Sequence, residues 1–91
     1  MTIPEHKRKV MAEVLSRVNY GMVLGCFEMD LSNGDLNFRL AIPTDGAGVS
    51  LSQFRYCMVV SVLTIKQLLT AFYRIVFCDA DPDEVLPYRD S

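Results

Sequence analysis

The chain has 91 residues, 51% of them hydrophobic and 22% charged, with a formal net charge of −2. That length confines it to one domain burying roughly 60–65% of its unfolded surface, so a small core leaves room for oligomerisation to add stability. The charge balance excludes any general electrostatic attraction to nucleic acid.

Thr2 or Ile3 as a cap, Pro4 in the first turn and Glu5 against the helix dipole predict a helix over about 4–19. Val10, Met11, Val14, Leu15 and Val18 make its apolar stripe, with Lys7, Lys9, Glu13 and Arg17 outside. Asn19 to Gly21 should close it, since Asn and Gly tolerate the left-handed conformation.

Two alternating runs between 22 and 42 flank Asn33 and Gly34, the sequence mark of a hairpin with a two-residue type I′ turn. Counting outward from that turn pairs Leu31 with Leu36, Met29 with Phe38 and Phe27 with Leu40 on a dry face. On the wet face Asp30 meets Asn37 and Glu28 meets Arg39, so apolar opposes apolar and acid opposes base.

Pro43 to Gly48 reads as a loop, and Ser50 with Gln53 as a capping box that starts a helix. Of the 28 residues from Leu51 to Cys78, 19 are apolar, and only Arg55, Lys66 and Arg74 are charged. The longest uncharged run, between Arg55 and Lys66, is ten residues, short of the roughly 20 a bilayer needs, so no membrane insertion is expected. One straight helix here would reach about 42 Å, too long for a compact domain of this size. Thr64 and Gln67 repeat the cap spacing after the β-branched Val59, Val60 and Val62, which predicts helices over about 51–63 and 65–78, or one kinked helix. Ile65, Leu68, Leu69, Phe72, Ile75 and Val76 share a face, whereas Tyr73 and Phe77 lie off it. That surplus of apolar surface predicts a homodimer with Leu68, Phe72, Tyr73 and Phe77 at the interface and a possible contribution of the hairpins to a shared sheet.

Asp81, Pro82 and Glu84 cap a short helix over about 82–86, stopped by Pro87 before a tail over 88–91. The fold class is therefore α+β, a single αββαα unit.

Catalytic, cofactor and metal sites are not predicted. His6 is the only histidine and sits beside Lys7 and Arg8 in a solvated turn, without the company of ligands that a metal needs. Asp79, Asp81, Asp83 and Asp90 follow a calcium-loop spacing, but Glu84 stands where that loop requires Gly, so helix capping explains them better. Cys26, Cys57 and Cys78 form no C-x-x-C pair and read as buried thiols of a reducing, cytoplasmic setting. The basic turn Lys7, Arg8, Lys9 has no interleaved aromatics and reads as a solvated face. Charge is segregated all the same: residues 1–20 hold four bases against two acids, and residues 79–91 hold five acids against Arg89.

The run A-E-V-L-S-R-V-N-Y-G after Met11, then G-C-F-E-M-D, the N-G turn, L-N-F-R-L and the closing D-P-D-E-V, resembles the YbjN family of bacterial sensory-transduction regulators. Leu15, Asn19, Gly25, Phe27, Glu28, Asp30, Gly34, Phe38 and Arg39 carry the resemblance. It implies a type III secretion chaperone-like fold, helices layered on an antiparallel sheet, with no catalytic residues. It also implies that this sequence holds the second half of the family domain, because members have a further stretch of helix and strands before the equivalent of Thr2. The expected function is a non-enzymatic protein-binding or chaperone-like regulator with a protein partner, or else a small-molecule sensor whose pocket forms at the dimer interface.

Overall fold

A computed structural model describes residues 1–22, 24–42, 46 and 48–86. After a 3₁₀ turn over Glu5–Lys7 come helix α1 (Arg8–Tyr20), strands β1 (Cys26–Met29) and β2 (Leu36–Arg39), helix α2 (Leu51–Phe77) and the single turn α3 (Pro82–Val85). The α+β order expected from the sequence is the order observed. The expected 43–48 loop lies largely outside the described residues, as do Pro87, the tail and Asp90.

Helix α1 buries Met11, Val14, Leu15 and Val18 and leaves Val10 outside, so its stripe is narrower than the sequence suggests. No side chain caps its start: Pro4 occupies the cap of the 3₁₀ turn, and Gly21 closes α1 in a right-handed conformation (φ −90°) rather than a left-handed one. Thr2 and Ile3 do other work. Ile3 N–H donates to the Gly34 carbonyl at 2.7 Å, Leu36 N–H donates to the Met1 carbonyl at 3.0 Å, and Thr2 bridges Asp35 antiparallel. The first three residues thus line the outer edge of β2, and Ile3 is fully buried in the core.

The hairpin register corrects the type I′ expectation. Phe27 pairs with Phe38, Glu28 with Asn37 and Met29 with Leu36, two residues from the predicted pairing, and Leu31 to Gly34 form a four-residue loop. Local polar side chains favour the wider loop. Asp30 Oδ1 accepts from both the N–H and the hydroxyl of Ser32, Asn33 Oδ1 accepts from Asp35 N–H, and the Asp30 carbonyl accepts from Gly34 N–H at 2.7 Å. Only Gly34 in that loop has positive φ (+79°), so Asn33 is spared the left-handed region. A shift of two residues preserves the faces, because side chains alternate with period two. Phe27 and Leu36 are therefore still buried, with Met29 and Phe38 packed against them, while Leu31 moves into the loop and is exposed. Arg39 still meets Glu28, as a diagonal neighbour at 3.2 Å.

Phe27 is the point where the layers meet. Its ring stands edge-on to Phe38 and to Phe72 of α2, each at 5.1 Å between centroids. Its backbone is gripped from α1, where the Asn19 amide donates to the Phe27 carbonyl and accepts from the Phe27 N–H, both at 2.8 Å. Asn19 so occupies the middle of the β1 edge, while residues 1–3 occupy the β2 edge, an arrangement that disfavours the expected sharing of a sheet through the hairpins.

The break expected at Thr64 is absent: α2 is one helix of 27 residues, opened by the expected capping box between Ser50 and Gln53. Val59, Val60, Val62 and Thr64 each cost at most about 0.7 kcal/mol in helix propensity. A break would instead leave several backbone groups on each side without partners. The length problem is solved by projection. The structure measures 45 × 28 × 21 Å with a radius of gyration of 14.6 Å, against about 12 Å for a compact domain of this length.

Gly34 is constrained twice, by its positive φ and because a Cβ there would overlap the Ile3 carbonyl oxygen. Gly34→Ala should therefore lower the unfolding free energy by at least about 1 kcal/mol, measured by denaturant titration; an unchanged midpoint would contradict the close approach of residues 3 and 34.

Candidate interaction surface

The two halves of α2 live in different surroundings. From Leu68 onward Leu68, Ala71, Phe72, Ile75 and Val76 join the core formed by α1, Phe27, Leu36, Ile3 and Leu86. Before Leu68 only Cys57 and Ser61 are buried, and neither belongs to that core. Leu51, Phe54, Tyr56, Met58, Val59, Val62 and Leu63 are exposed along the projecting half. Met58, Val59, Val62 and Leu63 bound an open apolar hollow of about 250 Å³.

The C-terminal end of α2 is fixed by the segregated charges. Lys7 Nζ bonds Asp79 Oδ1 at 2.5 Å, and Arg17 Nη2 bonds Asp83 Oδ1 at 2.7 Å, tying the 3₁₀ turn and α1 to the chain that follows α2. Asp79 turns that chain in the left-handed region (φ 52°), and the Arg74 carbonyl accepts from both Cys78 N–H and Ala80 N–H. The Lys7 ammonium, bonded to Asp79 and close to it, holds its carboxyl below the ordinary 3.8. Asp81 caps α3 by accepting from Asp83 N–H at 3.0 Å, with Pro82 in the first turn. These three acids, read in the sequence as caps or a calcium spacing, thus serve as one cap and two ion pairs. Among the described residues no cluster of three His, Cys, Asp or Glu could hold a metal.

Of the four residues expected at a dimer interface, Leu68 and Phe72 are core residues of the single chain and are corrected to that role; Phe72 is fully buried because it meets Phe27. Tyr73 and Phe77 are surface residues, each 54% exposed, with ring centroids 5.1 Å apart. Phe54 and Met58 have no role in the sequence analysis, and Val62 enters it only as a β-branched residue before the expected break. Their signal was the helical step of four residues, lost while a break at Thr64 was expected. The thiols also divide: Cys57 is buried, Cys26 half-buried and Cys78 exposed. Arg8 in the basic turn is a clip rather than a free cation, donating to the Ile3 carbonyl at 3.1 Å and the Ser32 carbonyl at 3.3 Å.

By length and composition alone α2 could also cross a membrane, with mean hydropathy 1.5 over its most apolar window, a third of which is buried inside the protein. A core helix meets the same criterion, and its C-terminal half is one.

Compared with protein-family models, residues 1–74 match YbjN, described as "Putative bacterial sensory transduction regulator". The match stops short of the D-P-D-E-V segment. No curated protein and no solved structure matches. The residues that carry the likeness have architectural work here: Asn19 grips Phe27, Gly34 lets Ile3 approach, and Gly25 (φ +68°) leaves space taken by the Phe38 ring.

Because the Asp79 carboxyl is more acidic in the folded chain than unfolded, its contribution to stability is present above the ordinary carboxylate value and is lost as pH falls below it. Asp79→Asn should therefore flatten the loss of thermal midpoint between pH 5 and pH 2.5 (about the carboxylate titration range) relative to the unaltered chain. Parallel melting curves for the two across that range would show that the Lys7 pair contributes nothing.

Proposed function

The chain belongs to the YbjN family, and from that premise we propose that it is a non-enzymatic protein-binding regulator of the chaperone-like kind, working as a dimer in the bacterial cytoplasm. The observation that supports this reading is the apolar face of α2, which runs past the end of the core and remains exposed in the single chain. Large contiguous apolar surface rimmed by polar residues is characteristic of protein-contact sites. Lys7, Arg17, Asp79, Asp81 and Asp83 are engaged in a cap and ion pairs that serve the architecture.

A second reading, a small-molecule sensor, is favoured by the open apolar hollow at Met58, Val59, Val62 and Leu63, which lacks a wall that a second chain could supply.

Sedimentation equilibrium at micromolar concentration should give a mass near twice 10.3 kDa, and Phe77→Asp should lower it toward one chain and lower the thermal midpoint with it. A single-chain mass for the unaltered protein would overturn the dimeric reading. Native mass spectrometry of protein purified without denaturation separates the two readings, since a retained metabolite supports the sensor.

A further inference from the structure

Of the ten large apolar side chains that α2 leaves exposed, Phe54, Met58, Val62, Leu69, Tyr73 and Phe77 lie along one ridge of the helix. Each is between 36% and 55% exposed. Their steps are 4, 4, 7, 4 and 4 residues, a series that reads the same from either end, with its midpoint between Ile65 and Lys66. Steps of four define the ridges by which helices interlock at about −50°. A twofold contact must be self-complementary, each residue meeting a partner that meets it in return. This ladder meets that requirement on its own.

We propose that α2 pairs antiparallel with α2 of a second copy, about a twofold axis at the Ile65–Lys66 midpoint. Phe54 then packs on Phe77 of the partner subunit, Met58 on Tyr73 of the partner subunit and Val62 on Leu69 of the partner subunit. This inference rests on the dimeric reading above and adds its register. It also explains the projection of α2: the half without a core of its own lies over the partner's half that has one. The six residues, with Val59 and Leu63 beside them, expose roughly 800 Å² on a scale of about 150–250 Å² per large side chain, which is what each partner gives to a standard interface.

Charge gives the register a signature. The helix has three cations, Arg55, Lys66 and Arg74, and no acid. In this pairing Arg55 faces the Val76 position and Arg74 faces Cys57, while Lys66 alone lies beside the axis next to its own copy. The dimer therefore carries one like-charge contact, so added salt strengthens it, opposite to an interface held by ion pairs.

The test combines mass with cross-linking of the full chain. Sedimentation equilibrium should show Val62→Asp, a surface change at the ladder's centre, weakening the dimer at least tenfold, and Lys66→Gln tightening it several-fold at low salt. A disulfide needs Cβ atoms about 3.5–4.5 Å apart, a separation found only near the axis. Lys66→Cys should therefore form a covalent dimer under mild oxidation, well above the background set by the exposed Cys78 of the unaltered chain, and Arg55→Cys should not. A dimeric mass with no Lys66→Cys cross-link, or with equal cross-linking at both positions, would overturn this register and leave the dimeric reading standing. A single-chain mass would overturn both, and flotation of that single chain with anionic vesicles would assign the ladder to a lipid surface instead.

Discussion

Everything in this fold converges on one strand residue. Phe27 has its ring fixed by two edge-on aromatic contacts and its peptide groups fixed by one carboxamide, so helix, hairpin and long helix share a single reference point. Two short strands are marginal alone in water. Here Asn19 acts as a substitute for a third strand on one side, residues 1–3 act as one on the other, and α2 supplies the dry layer beneath. Remove any of the three and the hairpin loses either a backbone partner or its apolar cover.

The faces of the elements were legible in the sequence because they depend only on period. The register was not, because two turn geometries of the same parity satisfy the same alternation. Asn-Gly favours a two-residue turn, yet Asp30, Ser32 and Asn33 together offer more hydrogen bonds to a four-residue one. Caps were legible at Ser50 and Asp81, where helices do begin. Thr64 carries the same residue spacing inside a continuous ladder of backbone bonds, where a cap has nothing to satisfy. Ile3 and Leu86 were missed as core residues because an isolated apolar residue has no period to reveal it.

Segregation of charge between the chain's ends was visible as composition and became meaningful only in space. Lys7 finds Asp79 and Arg17 finds Asp83 across more than sixty residues. These contacts are exposed on the acid side and contribute little singly; their value lies in setting where the end of α2 sits relative to α1. The candidate surface was half legible for a related reason. Tyr73 and Phe77 stood out as apolar residues off the core stripe, but Phe54, Met58 and Val62 lie in a half of α2 that has no core against which to define an outside.

The projecting half of α2 has a thermodynamic consequence. The segment over residues 51–64, ahead of Ile65 where α2 meets the core, buries only Cys57 and Ser61 and is close to the length, about 12–15 residues, below which isolated helices barely hold in water. Its order rests on the Ser50–Gln53 box at one end and on propagation from the packed half at the other. Its amide hydrogens should then exchange through local fraying, at a free energy well below that of global unfolding. A partner that covered this half would complete a helix as well as hide a surface, so association would include a step of folding, and its affinity would be the contact energy less the cost of that order.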